Sequence, residues 1–256
     1  MTEAAEAEQA VAAEGAVGAA GAAAGTAAAP QGAGAAAEAA AGFEPVKVAG
    51  GPVYRVLKRA FDIVFSLCVI LVLLVPGLIL CVVIMLDSPG GPFYAQERVG
   101  KLDKDGNPTY FKMWKFRSMV ADADQQLEQL LDQNEVEGAM FKMADDPRVT
   151  RVGRFIRKHS IDEFPQFVNV LLGQMSVVGP RPPLPRELPE YTERDMQRLT
   201  VKPGLTGPWQ VSGRNNLGFH EMVELDLHYI THRGFLYDLN LIAKTVLVVL
   251  TGEGAH

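Results

Sequence analysis

Two carboxylates stand side by side in the stretch HSIDEFPQ, residues 159–166: Asp162 and Glu163. The segment before them, RVTRVGRFIRK, is crowded with cations, and the one after is apolar with helical spacing. An adjacent acid pair beside bases suits phosphoryl chemistry. A carboxylate can act as nucleophile and form an aspartyl-phosphate type of intermediate. Such reactions commonly use Mg2+, held by one or two carboxylates and by phosphate oxygens. The same residues also fit a local structural role. SIDE has the S-x-x-E form of a capping box, in which Ser160 starts a helix and Glu163 reaches back to it. That role leaves Asp162 unexplained. Pro165 confines both acids to the start of the helix, because proline is tolerated in a first turn but not in the interior. The positive end of the helix stabilises negative charge there, whether carboxylate or phosphate. Residues i and i+1 do not share a helix face, so one acid can address phosphorus while the other holds a metal.

Cations supply the second half of such a site. Arg148, Arg151, Arg154 and Arg157 recur every third residue; they form either a solvated or headgroup-facing basic face or a phosphate-binding row. Arg181 in GPRPPLP and Arg214 in VSGRNN are lone arginines in Gly/Pro-rich loops. A guanidinium fork on a stiff loop suits bidentate phosphate binding. Arg117 in KFRSM serves likewise or braces a strand pair. Asp226 and Tyr229 lie one turn apart on one helix, either lining a substrate site or forming a plain helix face. His228 and His232 are four apart but no Glu follows His228, so the metalloprotease pattern is absent and surface or packing roles are expected. Trp209, in the loop GPWQVSGRN, reads as exposed and suited to stacking on a base or sugar, or to a membrane interface.

The elements that must position these residues follow from periodicity. FYAQERVG and PTYFKMWKFRSM read as strands joined by the turn KLDKDGNP. ADADQQLEQLLDQNE, RVTRVGRFIRK, DEFPQFVNVLLG (ended by Gly173), PEYTERDMQRLTV, FHEMVELDLHYI and DLNLIAKTVLVVL read as helices. KPGLTGPWQVSGRNN reads as mostly loop. From Ile63 to Leu86 no residue is charged, a run of 24 positions, where about 20 suffice to cross a bilayer. Pro76 and Gly77 interrupt it, and bases flank both ends, so a hairpin that enters and leaves by the cytoplasmic face competes with a straight span. Each arm of such a hairpin is about 18 Å, roughly one leaflet.

Composition sets outer bounds. The 256 residues carry a net charge of −6, but residues 1–50 hold six acids and one base, so the remainder is nearly neutral. Residues 1–50, rich in Ala, Gly and Glu, read as a disordered tail. Two cysteines, Cys68 and Cys81, exclude a disulfide framework or a Cys-based metal site. No nucleic-acid partner is expected.

The segments KRAFDIVFSL, VPGL, PFYAQERVG, YFKMWKFRSM, DPRVTRVGRFIRKHSIDEFPQFVNVLLGQMSVVGPRPPLP, KPGLTGPWQVSGRN, LDLHYI and DLNLIAKTV occur in this order. Together, over about residues 54–256, they resemble the bacterial sugar transferase family, the monotopic polyprenyl-phosphate phosphoglycosyl transferases. The resemblance implies transfer of a sugar 1-phosphate from a UDP-sugar to polyprenyl (undecaprenyl) phosphate with release of UMP, opening exopolysaccharide, O-antigen, capsule or glycan assembly. It implies that Asp162 is the nucleophile, that Glu163 assists with Mg2+, and that Arg181 and Arg214 meet donor or acceptor phosphates. Arg117, Arg154, Asp226 and Tyr229 complete the expected site. The implied fold is α+β and mainly helical. It comprises a tail (1–50), a Pro-kinked re-entrant membrane helix (54–87), and a catalytic domain (88–256) with a small β-hairpin on the cytoplasmic face of the inner membrane. A homo-oligomer is compatible with it. Many members place Ser before the kink proline where this chain has Val75, which removes a hydroxyl able to cap the broken backbone. Larger members carry extra transmembrane helices and a further domain ahead of this region, so the chain is expected to be a short form or an excerpt. The competing reading is a non-catalytic membrane scaffold in which the acid pair is only a helix cap; a Mg2+-dependent phosphatase acting on nucleotide sugars is a further rival.

Overall fold

The computed structural model describes residues 46–123, 125–126, 143, 146–212 and 217–251. The expected tail up to residue 45, most of the predicted helix at 121–135, and Arg214 lie outside the described residues. Residues 46–49, counted above with the tail, are docked. Val46 and Val48 pack on the main core, and the Ala49 amide donates to Ile230 O at 3.0 Å.

Helix α1, Pro52–Asp87, starts with proline in its first turn and continues past Pro76. Its apolar surface is largely uncovered: Val64, Leu71, Val75, Leu78, Val82 and Leu86 are all exposed. Among the described residues it is the helix long and apolar enough to cross a membrane. Both of its ends are fastened to the rest of the chain. Near the start, Lys58 and Tyr54 donate to Asp238 (2.9 and 2.8 Å), and buried Asp62 accepts from Ser176 Oγ and Val177 N (3.1 and 3.0 Å). Near the finish, Cys81 and Ile84 pack with Phe116 and Ile156, and Asp87 accepts from Val152 N at 3.1 Å.

The rest is mainly helical with little sheet. Strands β1 (Phe93–Leu102) and β2 (Pro108–Phe116) form the expected antiparallel hairpin, Phe93 opposite Phe116 and Ala95 opposite Trp114. Helix α2 (Arg151–Lys158) starts on Thr150, whose hydroxyl accepts from Gly153 N at 2.9 Å. Helix α3 (Gln166–Leu172) ends at Gly173 in a left-handed conformation, φ 80°, as glycine there allows. Strand β3 (Ser176–Val178) pairs in parallel with β4 (Gly204–Thr206). That pairing adds a short strand to the stretch 202–216, read above as mostly loop. Three residues are too few to show periodicity, and the pairing is made possible by glycine: a Cβ on Gly204 would lie 2.0 Å from Gly179 N. Short helices α4 (Glu193–Met196) and α5 (Pro208–Val211) precede α6 (Phe219–His232) and α7 (Phe235–Thr251). The core joins β2, α3, β3, α6 and α7 around Met113, Val170, Val177, Val223, Tyr229 and Leu241.

Candidate active site

The acid pair sits in a 3₁₀ turn, Ile161–Glu163, immediately ahead of α3, with Pro165 at the junction. Proximity to the helix start is as expected, but the capping box is not formed. Ser160 adopts a left-handed conformation (φ 53°) and its side chain caps nothing. Freed from that task, Glu163 accepts from Lys115 Nζ at 2.8 Å, and the same ammonium lies 3.5 Å from Asp162 Oδ2. Lys115 reaches the turn because α3 is stitched to β2 beside it. Buried Asn169 accepts from Trp114 N at 3.1 Å and donates to Lys112 O at 2.7 Å. Lys115 carries a signal that sequence reasoning passed over: it shares its strand face with Phe111 and Met113, both buried, and so breaks an apolar alternation.

Environment separates the two acids. Burial pushes the Asp162 carboxyl up, and the neighbouring Glu163 charge adds to this against the pull of Lys115 and Arg157. Burial works on Glu163 in the same sense, but Lys115, Arg181 and Arg98 outweigh it and hold that carboxyl down at about 2. Two titratable neighbours driven apart in this way are a mark of functional sites. Of the arginine row, Arg157 is the member whose charge reaches Asp162, whereas Arg154 is exposed on α2 and Arg148 is buried against Asp146 at 2.6 Å.

Arg181 is brought to the pair: it lines a small pocket together with Glu163, Gln166 and Pro182. Its loop is fixed by β1, where Val99 N donates to Pro183 O at 3.0 Å and Arg98 donates to Pro182 O at 3.0 Å. Arg98, also missed in the sequence, is itself buried and oriented by Gln96 at 2.6 Å. The Arg181 loop also walls a larger cleft of about 130 Å³, lined by Tyr191, Arg198, Trp209 and Phe219 among others.

Three expected residues are placed elsewhere. Arg117 is buried with its guanidinium on backbone carbonyls, among them Ser88 O at 2.7 Å and Pro89 O, so it clamps the end of α1 and has no donor fork left for phosphate. Asp226 is fully buried and paired with Arg198 at 2.8 Å; burial raises its carboxyl to about 6 despite that partner. Tyr229 is fully buried and donates to Asp238 Oδ1 at 2.8 Å. Helical spacing put these two on one face, and that face is the core. Trp209, read as exposed, is 8% exposed, with the Arg181 guanidinium 6.0 Å from its ring centroid. His228 and His232 are exposed and stacked on each other at 4.3 Å.

The donor set suits Mg2+. Two adjacent carboxylates, Glu163 held ionised, already share one cationic group between them in Lys115. No third His, Cys, Asp or Glu joins them among the described residues, which leaves further positions to diphosphate oxygens and water, the usual Mg2+ arrangement.

Comparison with known proteins places the chain. The model of the family described as bacterial sugar transferase matches residues 53–252. The galactosyl transferase CpsE of Streptococcus agalactiae is 46% identical over 205 residues, covering 79% of this chain and 44% of that protein. The undecaprenyl-phosphate galactose phosphotransferase of Salmonella typhimurium is 42% identical over 207 residues, covering 79% and 42%. The exopolysaccharide production protein ExoY of Rhizobium meliloti is 38% identical over 210 residues, covering 80% and 90%. The chain thus spans less than half the length of the first two relatives and most of the length of the third.

Proposed function

The chain belongs to the bacterial sugar transferase family, and from that membership and the geometry of the acid pair we propose that it moves a sugar 1-phosphate from a UDP-sugar to a polyprenyl phosphate. The observation that carries this reading is a pair of neighbouring carboxylates that share the Lys115 ammonium, at 3.5 and 2.8 Å, and are driven apart by their surroundings. Asp162 is the nucleophile. Its carboxylate oxygen bonds to the sugar-bearing phosphorus, the bond from that phosphorus to the bridging oxygen breaks, and UMP leaves. An oxygen of the polyprenyl phosphate then attacks the same phosphorus, displaces the Asp162 carboxylate and gives the lipid diphosphate sugar. Glu163, kept ionised by Lys115 and Arg181, holds the cationic side of the site, and Arg181 neutralises phosphate charge from a loop fixed by Arg98. Positioning and charge neutralisation are what phosphoryl transfer chiefly asks of a protein. Mg2+, when bound by Asp162 and Glu163, would add Lewis-acid neutralisation of the diphosphate.

The membrane helix fits a re-entrant path. A straight α1 of 36 residues would be about 54 Å long, against a hydrocarbon core of about 30 Å. Its beginning (Lys58, Asp62) and its end (Ile84, Asp87) are held by one and the same domain. A straight span would put these ends on opposite sides of the bilayer, where one domain cannot hold both. A re-entrant path, with α1 bent at Pro76 and not straight, keeps both ends, and the acid pair, on the cytoplasmic face of the inner membrane, at the depth of the lipid phosphate.

Incubation of the full chain with labelled UDP-sugar and no lipid acceptor tests the mechanism. Label should attach to Asp162, and Asp162→Asn should abolish both labelling and turnover. An unlabelled protein together with an active Asp162→Asn variant would overturn the covalent route. A tag at residue 1 should be shielded from protease added outside the cell; an external tag would exclude the hairpin.

A further inference from the structure

We infer that the outward face of the β1–β2 hairpin, which carries Phe93, Ala95, Trp114 and Phe116, is immersed in the bilayer at the boundary between headgroups and acyl chains. The inference rests on the membrane path proposed above for α1. Strand β2 then has lipid on one side and the acid pair on the other. Phe93 stands opposite Phe116 and Ala95 opposite Trp114, so these four share one face of the two-stranded sheet. Successive side chains alternate between faces. Met113 and Lys115 therefore take the other face, where Met113 joins the core and Lys115 meets Glu163 at 2.8 Å.

Contact with α1 sets the depth of the first face. Phe116 packs with Cys81 and Ile84, and a Cβ on Gly77 would lie 3.7 Å from Phe116 Cζ. Gly77 is nine positions ahead of Leu86, where the uncharged run ends, which is about 14 Å along a helix. A side chain that touches α1 there enters the membrane with it. Phe93 follows, stacked on Phe116 with ring centroids 5.4 Å apart. Exposure agrees with this placement. Phe93 is 49% exposed and Trp114 39%, and Leu78 and Val82, on the stretch of α1 that Phe116 touches, are exposed as well. The face also changes character along its length. Its next pair is Glu97 and Lys112, both exposed. From Phe116 to Lys112 strand β2 rises about 13 Å, enough to pass from acyl chains into the polar zone of the headgroups. Aromatic rings gather at that boundary, and a Trp ring there keeps its N–H in reach of polar partners. A surface that runs from open aromatics to a charged pair thus matches a medium that runs from acyl chain to headgroup. The hairpin thereby sets the distance of Lys115, and with it the acid pair, from the lipid at the thickness of one strand.

The chain has two tryptophans, Trp114 and the buried Trp209, so fluorescence quenching reads this face directly. The full chain is reconstituted into vesicles of phosphatidylcholine and phosphatidylglycerol whose acyl chains carry bromine either near the carbonyl end or near the methyl end. In Trp209→Phe, which leaves Trp114 as the emitter, bromine near the carbonyl end should remove most of the emission and bromine near the methyl end clearly less. In Trp114→Phe the remaining emission should be insensitive to both. Should Trp209→Phe lose its fold by circular dichroism, the difference between wild type and Trp114→Phe carries the same reading. A chain that floats with the vesicles while Trp114 stays bright with both labels would overturn the inference, as would quenching that is stronger from the methyl end. Aqueous acrylamide then names the occupant of a face without lipid: quenching of Trp114 would leave it to water, and shielding would give it to protein, such as a second copy of the chain. A chain that fails to float would sink the membrane path of α1 and this inference with it, whereas a floating chain with a silent Trp114 sinks the inference alone.

Discussion

Replacing Lys115 by methionine removes the ammonium that touches both acids while keeping most of the stem's apolar bulk. Glu163 is held at about 2 against its ordinary 4.5, a preference for the ion of about 3 kcal/mol at ~1.36 kcal/mol per pH unit. Lys115 is the first of the attractive causes, and Arg181 and Arg98 survive its loss. A unit charge pair ~4 Å apart near a protein surface interacts by about 4 kcal/mol. Lys115 touches both carboxylates, at 2.8 and 3.5 Å, so its loss is felt by Asp162 as well as by Glu163. The sign follows from Asp162 itself. Burial already raises it and Lys115 opposes that rise. Without Lys115 the carboxyl stays protonated to higher pH, and a protonated carboxyl is no nucleophile. The acid limb of kcat/KM for UMP release should therefore move to higher pH, with activity recovering on the alkaline side. Lys115→Arg, which keeps the charge, should move it far less. An acid limb that stays in place while kcat/KM falls evenly at every pH would assign Lys115 to the substrate's phosphate instead and refute this account of the dyad.

Arg117→Lys should lower the thermal unfolding midpoint while leaving the KM for UDP-sugar within twofold or so, because it loosens the carbonyl clamp on α1 and touches no phosphate; a large KM effect with unchanged stability would return Arg117 to the site. Asp226→Asn should destabilise by about 3–5 kcal/mol by leaving Arg198 charged and buried without its partner, whereas the double change Arg198→Met with Asp226→Leu should cost markedly less; chemical unfolding of the three variants decides it. Gly153→Ala should destabilise by at least about 1–3 kcal/mol, since the added Cβ falls 1.9 Å from Ser118 O, a carbonyl fixed by the Thr150 amide at 3.1 Å; an unchanged unfolding midpoint would contradict that contact. Because the Glu163 carboxyl is depressed, its contribution to stability is fully present above about 4.5 and is lost as pH falls toward about 2; Glu163→Gln should flatten that part of the unfolding profile, and an unaltered slope would show the ion pair to be absent in solution.

What the sequence disclosed was whatever is encoded in neighbours. The apolar run of α1, the β1–β2 hairpin and the acid pair ahead of α3 all follow from contiguous residues. What it concealed depends on chain segments meeting from afar. Lys115 joins an acid 48 positions away, and Arg117 finds carbonyls 27 to 33 positions upstream. No local period marks either meeting; only a charge on an otherwise apolar strand face hints at the first. Asp226 and Tyr229 show the same limit from the other side, since helical spacing tells which residues share a face but not whether that face looks at substrate or core. The S-x-x-E pattern at Ser160 is the sharpest case, because the local rule and the fold compete for one carboxylate. As a cap, Glu163 would turn back to the backbone and leave Lys115 facing Asp162 alone. The left-handed turn at Ser160, φ 53°, withholds that partner. Such a conformation costs a non-glycine residue about 1–3 kcal/mol and is sustained by its surroundings, most often at functional sites. Here the surroundings are the ion pair itself and the Asn169 stitch that delivers Lys115. The residue that would have been spent on starting a helix is thereby kept ionised beside Asp162, where a cap could not have held it.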